Sequence, residues 1–295
     1  MRRLLNEAEG TVAPALSAVV WHDGREIFAH HADRVFDLAS LTKVLATTEV
    51  ALRAVYTGHL KLDEGHSLLP AGVTIAQLLT HSAGMLWWKD FSALPSRQAV
   101  LAAALAEPLV APPGVTHTYS DLSFLSLGAV LEAVHGARLD ALWHGPLRWG
   151  DPHAEPTEGG LRGVVHDDNA RAMGGIAPHA GLFGNARQVL AVATRWLRGD
   201  IPLAERSFAQ HGAGSHVLGW DTPSGEMSSA GPRPPADAVG HTGFTGTSVW
   251  MSPSRRVIAV LLTNRVAYGR DPTRIRSLRH AWHQTVWDAI DSGPQ

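Results

Sequence analysis

Phe36-Asp37-Leu38-Ala39-Ser40-Leu41-Thr42-Lys43 joins two kinds of structure. Its first half, with Val35, reads as a short extended piece. After Ser40 the period changes. Leu41, Val44, Leu45, Thr48, Leu52 and Val55 recur at helical spacing and form one face. Ser40 therefore stands at a helix N-terminus, with Lys43 one turn along the same face. A helix N-terminus favours negative charge, which helps an alkoxide form. A lysine neutralised by desolvation can take a serine proton. The plainer alternative is a serine N-cap before an exposed lysine on a packing helix.

The rest of the chain bounds what this segment can be. At 295 residues, 45% hydrophobic and 18% charged, it makes one large domain or two coupled ones. Its 25 Lys+Arg meet 27 Asp+Glu, a net charge of −2, so no basic excess points to nucleic acid or an anionic membrane. The absence of Cys excludes disulfides, a thiol nucleophile and thiolate metal sites. Arg2-Arg3-Leu4-Leu5 is interrupted by Asn6 and Glu7, too short an apolar run for a signal peptide. No run approaches the ~18–20 residues of a membrane span. The expectation is a cytoplasmic chain without a membrane span, exported only if a leader was removed. Lysine is scarce, with only Lys43, Lys61 and Lys89, and arginine holds its proton too tightly to be a base.

Residues 15–21 and 26–28 flank Asp23-Gly24 and predict a β-hairpin. Gly58 is a plausible stop for the helix that follows Ser40. Further helices are expected from Thr74 to Leu79, from Gln98 to Ala106, across Leu127–Val134 closed by Gly136, from Asn185 to Leu197, and near Thr273 to Ile290. Residues 145–184 and 222–236 read as loops. Ser248–Met251 and Val257–Leu262 form a second hairpin through residues 252–256. Strands cluster at both ends and helices fill the middle, which indicates an α+β fold. The expected architecture is an antiparallel sheet from both termini, flanked by helices. Residues 1–65 and 186–295 would form the sheet-containing part, and 66–185 a mostly helical insertion.

Two further motifs carry chemistry. Tyr119-Ser120-Asp121 follows Pro112-Pro113-Gly114 and opens a helix, so the Tyr119 hydroxyl can project from a loop–helix junction and shuttle protons beside a lysine. Its bland alternative is a capping Ser or Asp beside a packed Tyr. His241-Thr242-Gly243-Phe244-Thr245-Gly246 enters the last hairpin, where small residues let a substrate approach an edge strand. The alternative there is a Gly-rich strand entry.

Taken together and in this order, the three motifs resemble the serine β-lactamase and penicillin-binding-protein superfamily, in its class C-like branch. Thr74-Ile75-Ala76-Gln77-Leu78-Leu79-Thr80-His81-Ser82-Ala83-Gly84 resembles that family's "LLTHTSG" segment. Residues 163–170 with 179–183 resemble a stretch of one penicillin-binding subgroup, and Gly246–Trp250 its terminal sheet. The resemblance implies a β-lactamase/transpeptidase-like fold and a serine hydrolase working through an acyl-enzyme. It implies that Ser40 attacks the carbonyl, Lys43 takes or relays its proton, and Tyr119 serves the leaving group or later water. It gives the oxyanion to the Ser40 and Phe244 amides, and places His241, Thr242 and Gly243 along the substrate's polar end.

Two departures shape the expected substrate. The family's Tyr-x-Asn is Tyr-Ser-Asp here, so Asp121 replaces an amide donor with an acceptor. The family's Lys-Thr-Gly is His-Thr-Gly, so His241, with an ordinary pKa near ~6.5, replaces a fixed cation. β-Lactams and C-terminal carboxylates are therefore expected to fit poorly. The expected substrate is a small molecule or short peptide: an ester, or an amide whose free amine Asp121 would pair, as in D-aminopeptidase relatives. The alternatives are a D-alanyl-D-alanine carboxypeptidase or β-lactamase, and a non-catalytic binding protein. Ser40, Lys43 and Tyr119, all present, argue against the last. No cofactor and no metal is expected. His22, His30 and His31 lie close in sequence, as do His166, Asp167 and Asp168, without a helical H-E-x-x-H spacing. The His166–His179 stretch is expected to shape a loop near the pocket mouth, and at least one of Trp87 and Trp88 to pack in the core.

Overall fold

The computed structural model describes residues 1–292. Its strands are β1 (Leu16–His22), β2 (Arg25–His30), β3 (Phe36–Asp37), β4 (Arg148–Trp149), β5 (Leu182–Gly184), β6 (Val239–Thr242), β7 (Ser248–Ser252) and β8 (Val257–Thr263). Its α-helices are α1 (Arg2–Ala8), α2 (Thr48–Tyr56), α3 (Ile75–Leu79), α4 (Arg97–Ala106), α5 (Asp121–His135), α6 (Leu139–Leu142), α7 (Asp168–Ala172), α8 (Ala186–Leu197), α9 (Ala204–Ala209) and α10 (Thr273–Asp291). The antiparallel main sheet runs β2-β1-β8-β7-β6, built from both ends of the chain as expected. Asp23 and Gly24 both have positive φ, the geometry that a two-residue hairpin turn demands.

Both faces of this sheet are covered. Along β8, Ile258, Val260 and Leu262 enter the core beneath α8, whereas Val257, Ala259 and Leu261 face α1 and α10. That period of two explains why β8 reads as an unbroken apolar run. The first core continues without a break from the sheet through α2, α3, α4 and α5. β6 is the last strand of this sheet, paired along its length with β7 and bridged on its other side by Asp221 at Gly240, so the His241-Thr242-Gly243 segment leaves the sheet at its edge.

Several features lay outside the sequence reading, among them the short helices α6, α7 and α9, of which α7 lies within the 145–184 stretch expected to be loop; at four to six residues they are too short to show a helical period. β3, β5 and β4 form a separate three-stranded sheet whose strands of two or three residues are too short to show a period. α1 covers the outer sheet face with only Leu5 and Ala8 buried. The helix after Ser40 begins not with a regular turn but with a π-helical one over Lys43–Thr47, where Thr48 Oγ1 donates to the Lys43 carbonyl at 2.8 Å. No helix among the described residues is long and apolar enough to cross a membrane.

Candidate active site

Ser40 sits at a sharp corner. Ala39 before it has a left-handed φ of 48°, and the buried Asp37 carboxylate holds that corner. Asp37 Oδ1 accepts the Ala39 N–H at 2.8 Å and Oδ2 accepts the His166 N–H at 2.7 Å. Burial pushes the Asp37 carboxyl up to about 6, even though both N–H groups favour its charged form. The entry to β7 closes on the same corner. Thr245 Oγ1 donates to the Asp37 carbonyl at 2.7 Å and Thr247 Oγ1 to the Leu38 carbonyl at 3.0 Å. A Cβ on Gly243 would lie 2.6 Å from the Leu38 oxygen, so only glycine allows this approach.

Lys43 is fully buried, and its Nζ donates to Ser40 Oγ at 3.0 Å, Asp121 Oδ1 at 2.7 Å and the His179 carbonyl at 3.3 Å. These contacts use all three protons of an ammonium. Burial alone would lower the lysine pKa, but Asp121 and Tyr119 outweigh it and push it up to about 12. Lys43 is thus a resting ammonium, which corrects the expectation of a lysine neutralised by desolvation. The same contact engages Asp121 Oδ1 within the protein, so that oxygen does not wait for a substrate amine.

Tyr119 precedes Ser120, whose Oγ caps α5 by accepting the Ser123 N–H. The capping serine and the projecting tyrosine are both present. The Tyr119 hydroxyl faces Ser40 and Lys43, and the Lys43 Nζ lies 5.0 Å from its ring centroid. Burial raises the Tyr119 pKa against the pull of Lys43, so the group rests as a phenol. Behind it lie three buried histidines, His81, His216 and His241, with ring centroids 4.5, 5.8 and 5.8 Å from that of Tyr119. Burial, reinforced by Lys43, holds His241 down to about 3 and therefore neutral. Its ring packs against Tyr119, whereas Thr242, Gly243 and Phe244 reach the cleft wall.

The cleft over Ser40 holds about 610 Å³. Among the described residues neither the Ser40 nor the Phe244 N–H has an acceptor within the chain, and both residues line the cleft. Phe244 is 47% exposed, and its ring stacks 5.7 Å from that of His166 and lies 4.6 Å from the Arg265 guanidinium. His166, Asp167 and Asp168 line the mouth, as expected for that loop. Burial opposes the charge on Asp167, yet His179 and the Ala170 N–H hold its carboxyl well below the usual range. Both Trp87, 60% exposed, and the half-buried Trp88 line the cleft, so neither is the core residue expected of that pair.

The reasoning from sequence missed one wall entirely. Arg265, Arg270, Arg276 and Arg279 line the cleft from the segment that leads into α10 and from its first turns. Arg265 Nε donates to the Phe244 carbonyl at 2.9 Å, and Arg279 Nη2 to the Gly243 carbonyl at 2.6 Å and the Thr247 carbonyl at 2.8 Å. Arg270 pairs with Glu158 at 2.8 Å. Arg276 is exposed and has no acidic partner among the described residues. The neutral His241 therefore does not leave the cleft without positive charge. No local motif marks these arginines; only the fold returns them to the serine.

The chain resembles known proteins over most of its length. The family model described as Beta-lactamase matches residues 2–281. A Salmonella paratyphi A protein named "Putative D-alanyl-D-alanine carboxypeptidase" is 27% identical over 319 aligned positions, covering 83% of this chain and 73% of that protein. A class C beta lactamase from Rhodobacter sphaeroides superposes with a TM-score of 0.75 at 18% identity, covering 98% of this chain and 99% of that one. EstCE1, described as a hydrolase with promiscuous acyltransferase activity, gives a TM-score of 0.75 at 21% identity, over 95% of this chain and 97% of that one.

Proposed function

The chain belongs to the Beta-lactamase family and is a serine hydrolase; from that premise we propose that it cleaves an ester or amide through an acyl-enzyme on Ser40. The observation that carries this reading is the Lys43 ammonium held between Ser40 Oγ and Asp121 Oδ1 at the floor of the cleft. A lysine with a pKa near 12 does not accept a proton until it gives one away. The Lys43–Asp121 pair therefore works as one base. Lys43 passes a proton to Asp121 as it receives the proton of Ser40 Oγ, and Oγ bonds to the substrate carbonyl carbon. The free Ser40 and Phe244 amides receive the developing oxyanion. As the bond to the leaving group breaks, the Tyr119 hydroxyl protonates that group and is reprotonated by Lys43, which recovers its proton from Asp121. Water then releases the acyl group by the same route in reverse. The test is hydrolysis of a short-chain p-nitrophenyl ester by the wild type and by Ser40→Ala. Turnover in the first and none above background in the second is expected; equal turnover in both refutes the reading.

A second reading, a carboxypeptidase acting on a peptide with a free C-terminal carboxylate, is favoured by Arg276. Its guanidinium faces the cleft with no acidic partner among the described residues and can pair with a substrate carboxylate. The relative named for D-alanyl-D-alanine carboxypeptidase activity points the same way. Under this reading Arg276→Gln raises KM for a D-alanyl-D-alanine peptide by about 10-fold or more, the worth of one charged hydrogen bond, and leaves a neutral ester unaffected. Equal KM values for the peptide in the two proteins would reject it.

A further inference from the structure

His30, His31 and Glu9 converge where the end of α1 meets the end of β2. His30 ends β2, His31 follows in a left-handed conformation with φ of 45°, and Glu9 closes α1. The fold thus adds a carboxylate to two adjacent histidines, a grouping that sequence spacing could not disclose. His22, near them in sequence, stays at the other end of the hairpin, opposite Arg25, whereas His30 pairs with Ala18.

The three donor groups face one another without bonding. Glu9 Oε2 lies 3.9 Å from His30 Nε2 and 3.6 Å from His31 Nε2, too far for hydrogen bonds. The two imidazole nitrogens and the carboxylate oxygen all lie within 4.8 Å of one another. The His30 side chain is 4% exposed, and its buried Nε2 has no hydrogen-bond partner among the described residues. Leaving such a group unsatisfied is costly, so its orientation toward Glu9 calls for an occupant. Arg34 donates to Glu9 Oε1, which fixes the carboxylate with Oε2 turned to the histidines. Two zinc–ligand bonds of about 2.1 Å meeting at a tetrahedral angle span about 3.4 Å, close to the observed separations.

We propose that Glu9, His30 and His31 bind one borderline divalent cation of the zinc type, separate from the catalytic cleft. Two neutral imidazoles and one carboxylate suit Zn²⁺, and exposed His31 leaves the remaining position to water. The ion would tie α1 to the end of β2 and thereby clamp the N-terminal helix to the sheet. The His81–His216–His241 group is a weaker candidate. His81 Nδ1 accepts the Ser120 N–H, so its Nε2 carries the proton and has no lone pair to give.

The test is calorimetric titration of Zn²⁺ into untagged, chelator-stripped protein, with Co²⁺ absorption as a second probe of ligand geometry. The expected result is one Zn²⁺ per chain and a rise in Tm of about 5 °C at a hundredfold excess over Kd. His31→Asn keeps the left-handed backbone comfortable and should weaken binding at least tenfold, as should Glu9→Gln, with ester hydrolysis unchanged in both. No binding to the wild type overturns the proposal, and so does unaltered stoichiometry and affinity in both variants. Because ester turnover is read separately, failure here is distinct from failure of the Ser40 mechanism.

Discussion

At Lys43, burial and ion pairing pull in opposite directions, and the pairing wins. If Lys43 and Asp121 act as one base, Asp121→Asn removes the proton sink, and kcat should fall by about 10²-fold, the lower range for losing a general base. The same substitution removes the larger of the two partners that hold the Lys43 pKa up against burial, so the residual activity should reach its plateau at lower pH than in the wild type. A pH–rate profile of both proteins checks this; a variant faster than wild type at pH 7 would show that Lys43 works alone. That Ser40, Lys43 and Tyr119 are candidates was legible because each stands at a local signal, a helix start, a one-turn spacing and a capped loop–helix junction, and the fold brings the three side chains together. The protonation state of Lys43 was not legible, because it depends on Asp121, brought within 2.7 Å from 78 positions away. Arg276 was invisible for a similar reason, since an exposed arginine on a helix has no meaning until the facing wall is known.

At the level of elements, the nucleophile corner depends on two neighbours rather than on its own sequence. Asp37 accepts backbone N–H groups from Ala39 and His166, and the β6–β7 connection donates to the carbonyls of residues 37 and 38. Asp37→Asn puts an amide N–H against one of those donors. It should cost about 1–3 kcal/mol in stability, measurable by urea denaturation, and lower kcat without changing the cleft lining. Unchanged stability would mean that the corner holds itself. The first hairpin and several helices were readable from turn and terminal residues, Asp23-Gly24, Thr74, Asn185 and Gly136; the structure adds Gln77 and Gln188 as the reciprocal capping partners of Thr74 and Asn185. The small β3-β5-β4 sheet and the π-helical turn were not. The former has too few residues for a pattern, and the latter keeps the helical apolar spacing while changing only backbone pairing.

For the molecule as a whole, buried histidines set the response to acid. Burial holds His241 and His283 down to about 3, and His81 and His216 well below their ordinary value. An unfolded chain binds more protons at these sites than the folded one as pH drops below 6.5. Their stabilising contribution is present above 6.5 and is lost as pH falls toward 3. Asp37 and Asp221, both raised by burial to about 6, act in the opposite sense, losing stability as pH rises from 3.8 through 6. Four histidines outweigh two carboxylates, so Tm should fall between pH 7 and pH 5. A Tm that holds steady or rises over that interval would show that these imidazoles become protonated inside the fold.

The acyl-enzyme on Ser40 is tested most directly by acid-quenching the protein during turnover of a p-nitrophenyl ester and measuring intact mass, followed by peptide mapping. A mass increase equal to the acyl group, located on the peptide that contains Ser40 and absent from Ser40→Ala, is the predicted result. Hydrolysis without any such adduct under burst conditions, or an adduct on another residue, contradicts the mechanism.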